Sequence, residues 1–442
     1  MVNPRCAVYW PAGDSNQAPG MTVIGVDFGT TNSVVSFLDE NGITGTTRVR
    51  LGAAELDVIR SVLCFWNEGA RDRVTLRHAV GPEAIDAWLD DPLESRLMLS
   101  LKSWLAQRSF TETRVFSRSF TLEDLIALFL RGILPRHEQR TLLVAGRPVR
   151  FAGDAPDDAL GEQRLRDAYA AAGWTAIQTA LEPEAAGYRF VRGLTASAIV
   201  LIGDFGGGTS DFSVLRFEPN SDQPVQALGH AGIGIAGDTF DYRIVDQIVS
   251  PKLGKGSTYR LFDTDLPVPP EYYSSFARWH RLSLMRSPRT MRDIEAVARS
   301  AQYPDRLRAL LRLIRDELGY ALYRAVSDVK TELSRAPTAR LRFAHADFAI
   351  DETIARVDFE HWIAPDLARI ADTVDSALAD AGSREDAVDH VFLTGGTSLV
   401  PAVRGLFANR FGEARITGGS EFVSVAEGLA LIGGDRLKRP RA

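Results

Sequence analysis

Residues 22–38 read Thr22-Val23-Ile24-Gly25-Val26-Asp27-Phe28-Gly29-Thr30-Thr31-Asn32-Ser33-Val34-Val35-Ser36-Phe37-Leu38. An apolar strand, Thr22 to Asp27, meets a Gly/Thr tip at Phe28-Gly29-Thr30-Thr31, and a second strand, Asn32 to Leu38, returns. Turn residues between two strand-like runs predict a β-hairpin. Working outward, the same design recurs at 198–217. Ala198 to Asp204 is strand-like, Phe205-Gly206-Gly207-Gly208-Thr209 is the tip, and Ser210 to Phe217 returns. The two segments align without a gap: Asp27 falls on Asp204, Phe28 on Phe205, Gly29 on Gly206 and Ser33 on Ser210. That distance is too long for a solenoid repeat and predicts two lobes of like fold.

Chemistry follows from the tips. Gly29 and Gly206, Gly207 and Gly208 let backbone N–H groups approach an anion without Cβ interference. Hydroxyls at Thr30, Thr31, Ser33 and Thr209 add donors. Asp27 and Asp204, each ending an incoming strand, suit a hydrated Mg²⁺, a hard cation that prefers oxygen and keeps several waters. One such hairpin reads equally well as a Gly-rich turn; two with the same Asp-Phe-Gly start suggest a pair of loops gripping phosphates from both sides. A third segment, Val391-Phe392-Leu393-Thr394-Gly395-Gly396-Thr397-Ser398-Leu399-Val400-Pro401, is a buried strand ending in a Gly pair, where a flat ligand could lie on backbone.

Between the hairpins, Thr141 to Gly146 reads as a strand, Arg164 to Gly173 as a helix, and Glu182-Pro183-Glu184-Ala185-Ala186-Gly187 opens another helix. Alternating strands and helices make this an α/β chain. Residues 242–335 differ: strand signals fade and Arg accumulates, with ten Arg from Arg278 to Arg315. There Asp305 to Leu333 reads as one long amphipathic helix, with Lys330 and Ser334 one turn apart on a shared face. A strand-rich stretch, 339–350, a helix from Phe359 to Ala381, and a helix from Val423 to Gly433 complete the reading.

Composition bounds the rest. The chain has 442 residues, 45 % apolar and 24 % charged, with net charge −6, which supplies no global basic field for nucleic acid. Only Cys6 and Cys64 are present, excluding a disulfide framework or a multi-Cys zinc site. No apolar run approaches the length of a membrane span. Residues 1–20 are expected to be a disordered leader, with Met21 a candidate start, and 435–442 a basic tail; a cytoplasmic protein is expected. Of the 51 basic residues only five are Lys: Lys102, Lys252, Lys255, Lys330 and Lys438.

Three motifs mislead. Asp-Phe-Gly occurs without a kinase catalytic loop. Gly232-x-Gly234-x-x-Gly237 follows a poor strand, unlike a dinucleotide fingerprint. Gly254-Lys255-Gly256-Ser257 has Gly where a P-loop needs Ser or Thr.

Taken together, these segments resemble the nucleotide-binding part of the seventy-kilodalton heat-shock (DnaK-type) chaperones, within the actin-like ATPase superfamily. The resemblance covers residues 21–434 and looks most like the YegD-type stand-alone members. Asp27 to Ser33 resembles the first phosphate loop and Asp204 to Asp211 the second. Glu182 to Ala186 resembles the connecting motif, Gly237-Asp238-Thr239-Phe240-Asp241 the G-G-x-x-F-D segment, and Gly395 to Pro401 the adenosine motif. The implied fold is two duplicated RNase H-like lobes, 21–200 and 201–434, with a helical cap at 242–335 in the second.

The resemblance also implies roles. Lys102, in Leu99-Ser100-Leu101-Lys102, would position the attacking water, with Glu182, Asp204 and Thr209 as its catalytic companions. Asp27, Asp204 and Glu182 would hold Mg²⁺ through its waters. Gly29, Thr30, Thr31, Asn32, Gly206, Gly207, Gly208, Thr209, Gly237, Lys330, Ser334, Gly395, Gly396 and Thr397 would contact ATP or ADP, and Pro148 would relay nucleotide state. Lys is scarce here, yet occupies both family lysine positions; a compact ammonium fits a single phosphate oxygen or water where Arg's fork does not. Four family positions depart: Ser327, Thr331 and Leu399 stand where an acidic residue and two arginines are usual, and Asn32 stands where Tyr is common.

The expected function is a slow, chaperone-like ATPase without the family's peptide-binding domain, monomeric, acting through a protein client or co-chaperone, with no nucleic-acid or membrane partner. A small-molecule kinase or a filament-forming ATPase of the same superfamily is the alternative.

Overall fold

A computed structural model describes residues 8–9, 21–51, 54–69, 74–91, 94–135, 141–153, 155–219, 221, 224–278, 285–316, 318–346, 348–418 and 423–438. The expected leader lies outside the described residues except for Val8–Tyr9, a short strand antiparallel to Arg48–Leu51. Residues 439–442 of the expected tail also lie outside them.

The first hairpin forms as its alternation dictates. Strand β1, Met21–Phe28, pairs antiparallel with β2, Asn32–Asp39, and Phe28 lies opposite Ser33 across the tip. Strand β3, Thr44–Thr46, extends the meander beyond β2. On the other side of β1 lies β4, Leu142–Arg147, in parallel, followed by β5, Ile177–Leu181, parallel to β4. Two helices accompany these strands: α1, Leu122–Ile133, closed by a capping box between Thr121 and Asp124, and α2, Asp158–Ala171, capped by Asp157.

The second hairpin repeats this plan strand for strand. Strand β6, Ala198–Phe205, pairs antiparallel with β7, Ser210–Phe217, which pairs antiparallel with β8, Val225–Ile233. Strand β9, His390–Thr394, joins β6 in parallel, and β10, Ile416–Gly418, joins β9. Along these five strands both sheets therefore run third–second–first–fourth–fifth, with the same sense at every junction, and the first sheet adds a short sixth strand, Ile59–Arg60, antiparallel to β2. This is the duplicated RNase H-like arrangement of the actin-like ATPase fold.

Period-two alternation assigns each strand two jobs. Ile24, Val26 and Phe28 of β1 face a core shared with Phe129 of α1 and Leu165 and Tyr169 of α2. Val23, on the opposite face, joins a second core with Val144, Val200, Ile202 and Leu429. That core contains α3, Glu182–Val191, and the C-terminal helix Ser424–Lys438. Gly25 makes room for this helix, since a Cβ there would lie 2.2 Å from the Ala426 carbonyl oxygen.

The chain divides into two compact units: residues 1–236 with 368–399 and 403–442, and residues 237–367 with 400–402. Both sheets belong to the first, so this division does not follow a cut at residue 200. In the second unit, helices Pro288–Arg299 and Pro304–Arg315 bury apolar stripes and expose most of their arginines. Two expectations need correction there. The long helix expected from Asp305 to Leu333 is two helices, Pro304–Arg315 and Gly319–Leu333, because the apolar spacing continues across a break that ends at a poor helix former, Gly319. The region where strand signals fade contains a hairpin, Thr258–Leu261 with Thr264–Pro267. Its turn places Phe262, not Gly or Asn, at φ 53°, so the usual turn signal is missing.

Candidate functional site

Asp27 and Asp204 are the penultimate residues of strands β1 and β6, and the tips follow Phe28 and Phe205 at once. The first tip is too tight for a side chain at Gly29, where a Cβ would lie 2.1 Å from the Asn32 carbonyl oxygen. In the second, Gly206 N–H donates to the Thr209 carbonyl at 2.9 Å. The tips face each other: a Cβ on Gly208 would lie 3.2 Å from Thr30 Oγ1. Thr30 is buried, and the buried Thr31 hydroxyl has no hydrogen-bond partner among the described residues. Asn32 Oδ1 accepts from Arg60 at 3.4 Å.

The third motif packs on the second tip. Gly395 has φ 83°, and a Cβ there would lie 2.1 Å from the Phe205 carbonyl oxygen. Gly396 opens a short 3₁₀ turn, Gly396–Leu399, and Thr397 Oγ1 donates to the Gly206 carbonyl at 3.3 Å.

Lys102 arrives from a different element. Strand Ser95–Leu99 pairs antiparallel with Val62–Glu68, the chain turns through Ser100 at φ 54°, and Lys102 sits in the 3₁₀ turn Leu101–Trp104. Its ammonium donates to Glu182 Oε1 at 2.6 Å, with both side chains buried. Glu182 is the first residue of α3, and Gly146 beside it leaves space for its stem.

Around this ammonium stand the carboxylates of Asp27, Glu182, Asp204 and Asp211. Burial and the neighbouring Glu182 push Asp27 up to about 7. Burial, with Glu182 and Asp27, pushes Asp204 well above the carboxylate range. Burial and Glu182 push Asp211 up to about 7. Burial alone would lower Lys102, but Glu182, Asp27 and Asp211 outweigh it and hold the group above its ordinary value. The cluster is short of positive charge. Among the described residues no three acidic, His or Cys side chains converge closely enough to ligate a metal directly. A cation reaching these carboxylates through its own waters would relieve the same charge imbalance.

Asp211 carries no role in the sequence reading, and the structure gives it one. Its Oδ1 accepts from the backbone N–H groups of Val149, at 2.8 Å, and Arg150, at 3.2 Å. A Cβ on Gly232 would lie 2.4 Å from that oxygen. The buried Pro148 lies directly before these two amides. The available signal was a break in the duplication: Asp211 pairs with Asp204, whereas Val34 pairs with Asp27.

Gly237, Lys330 and Ser334 belong to the second unit and meet there. Lys330 Nζ donates to the Gly237 carbonyl at 3.0 Å and pairs with Asp241 Oδ1 at 2.9 Å. Ser334 Oγ donates to the Lys330 carbonyl at 3.2 Å.

Residues 316–436 match the family model described as Hsp70 protein. The chain is 25 % identical over 429 residues to a chaperone protein HscA homolog of Tolumonas auensis, an alignment covering 92 % of this chain and 57 % of that protein. It is 24 % identical over 398 residues to a chaperone protein dnaK of Cyanophora paradoxa, covering 87 % and 55 %. A chaperone protein HscA homolog of Bordetella petrii is 24 % identical over 436 residues, covering 94 % and 58 %. The chain thus spans little more than half the length of the curated relatives it matches. The likeness is to Hsp70-type chaperones at low identity, and the two hairpin segments at 22–38 and 198–217 lie outside the family-model match.

Proposed function

We propose that this Hsp70-like chain binds Mg·ATP and hydrolyses it slowly, as a chaperone-like ATPase whose nucleotide-driven closure acts on a protein client or co-chaperone. One observation carries the reading: two phosphate-type tips face each other at Gly208 and Thr30, in the same unit as a buried Lys102–Glu182 pair. Backbone N–H groups of Gly206, Gly207 and Gly208 and the hydroxyls of Thr30, Thr31 and Thr209 would hold phosphate oxygens. The spare Thr31 hydroxyl and the side-chain-free approach at Gly208 fit such an occupant.

Hydrolysis by this set is positioning plus charge neutralisation, as phosphoryl transfer generally requires. Lys102 stays an ammonium at neutral pH and orients the water that attacks the terminal phosphate. Glu182 fixes that ammonium in place, and Thr209 supplies a hydroxyl to the same water or phosphate. Mg²⁺, when bound, would offset phosphate charge, held through its waters by Asp27, Asp204 and Glu182. Gly395, Gly396 and Thr397 would offer backbone to the nucleoside. Pro148, beside the amides held by Asp211, would report which nucleotide is bound.

We read the chain as closest to the YegD-type members, monomeric and cytoplasmic. No helix among the described residues is long and apolar enough to cross a membrane. The test is a thermal shift with Mg·ATP and Mg·ADP, followed by phosphate release at saturating ATP. A shift with slow turnover supports the reading; no shift at millimolar ATP rejects it.

A further inference from the structure

Helix α2 carries an arginine that no phosphate-loop or adenosine motif contains. Arg164 Nη1 donates to the carbonyls of Leu105, at 3.4 Å, and Gln107, at 3.1 Å. Its Nη2 donates to the Phe110 carbonyl at 2.8 Å. Its Nε lies 3.1 Å from Glu123 Oε1 of α1, with the Arg164 side chain only 13 % exposed. Two turns earlier on α2, the N-cap Asp157 donates its own N–H to the Ala106 carbonyl at 3.0 Å. Arg108 closes the arrangement by pairing with the Asp157 carboxylate at 2.6 Å. The helix thus grips the carbonyls of residues 105, 106, 107 and 110.

Those carbonyls belong to the segment that carries Lys102. The link is short: Leu105 N–H donates to the Lys102 carbonyl, Gln107 N–H to the Trp104 carbonyl, and Gln107 Nε2 to the Ser103 carbonyl. The Lys102 turn is weak on its own account. It is one 3₁₀ turn, with poorer hydrogen-bond geometry than an α-helix, and it is entered through a non-Gly residue at positive φ. Yet it must deliver an ammonium to a buried carboxylate at 2.6 Å. A guanidinium suits the brace because its donors form a rigid fork that can satisfy several carbonyls and a carboxylate at once. An ammonium in the same place lacks that geometry.

We infer that Arg164, locked by Glu123, is a positioning residue that fixes the 105–110 segment and through it the placement of Lys102. The inference rests on reading Lys102 as the phosphate-facing lysine, and it predicts an effect on turnover without an effect on nucleotide binding.

The test uses the full chain with Arg164→Ala, Arg164→Lys and Glu123→Gln. Misplacing a catalytic group by about an ångström costs up to about a hundredfold, so Arg164→Ala should lose about tenfold or more in kcat. KM for ATP should stay within about twofold, because the phosphate tips are untouched. Arg164→Lys and Glu123→Gln should fall between, and millimolar guanidinium should restore part of kcat to Arg164→Ala but none to Lys102→Ala. Wild-type kcat in folded Arg164→Ala, or a loss appearing wholly in KM, overturns the inference. If Arg164→Ala does not fold, Arg164→Lys carries the same kinetic comparison. Amide exchange across residues 101–110 reads the brace without nucleotide: faster exchange in the Arg164 variants supports it and unchanged exchange rejects it. A wild-type chain that neither binds nor turns over ATP rejects the proposed function, and the exchange measurement still decides the brace.

Discussion

Lys102 Nζ lies 2.6 Å from Glu182 Oε1, and the two residues reach that contact from opposite kinds of structure. The lysine stands in a single 3₁₀ turn, the glutamate at the start of a helix behind a parallel strand. Such a pair is expensive to bury and strongly destabilised when one partner is removed, which makes it weak evidence for stability and better evidence for a task.

Lys102→Ala should therefore lose at least about tenfold in ATP turnover, as expected when a charge acting on the transition state is removed. Nucleotide binding should persist, measured by thermal shift with Mg·ADP. Equal turnover in variant and wild type would sink the assignment.

Gly395→Ala should fail in a different way. The substitution places a Cβ 2.1 Å from the Phe205 carbonyl oxygen and forces a left-handed backbone on alanine. Strain of this type costs roughly 1–3 kcal/mol. Because the clash falls on the second tip, affinity for ATP should drop with the melting temperature. Calorimetric titration showing wild-type affinity would refute that coupling.

Stability should decline as pH rises from about 4 to 7. Asp27 and Asp211 titrate near 7 in the fold but near 4 when unfolded, so the native state binds more protons in that interval. The stabilisation is complete below the unfolded value and is lost as pH rises through the folded one. Asp27→Asn should flatten the slope and raise Tm at pH 8 by roughly 2–4 °C without nucleotide. A variant whose Tm profile parallels wild type between pH 5 and pH 8 would contradict this.

Cys64 should be chemically silent in the native protein. It is buried, and burial pushes its thiol up to about 11. Thiolate is the reactive form, so alkylation at pH 8 should require unfolding. Rapid labelling of Cys64 in the native chain, located by peptide mapping, would show otherwise.

The parts legible in sequence were local ones. Asp27 and Asp204, their Gly/Thr tips and the returning strands announce themselves within a few residues, and the duplication needs only two such segments to be compared. The common strand order could not be read this way, because β4 and β9 find their partners through long-range parallel pairing that leaves no local mark. Lys102 was reachable through resemblance and the scarcity of lysine, not through its turn, whose entry at Ser100 has no glycine. Asp211 went unassigned because its partners are backbone amides more than sixty residues away. The break between Arg315 and Gly319 was hidden because the apolar stripe stays in phase across it.

The repeated strand order also sets a timetable for synthesis. The strands of the first sheet have all been made by residue 181, whereas β6 waits for β9 at residue 390, about 200 residues later. At about 5–20 residues per second, that gap is on the order of 10–40 seconds on the ribosome. The helix that covers Gly25 begins only at Ser424, about 240 residues after the first sheet is finished, so the part of that sheet's face around Val23 waits longer still for its cover. A chain built for the proposed work would itself leave the ribosome as a client, with Val23 and Val144 among the residues a nascent-chain holdase should shield.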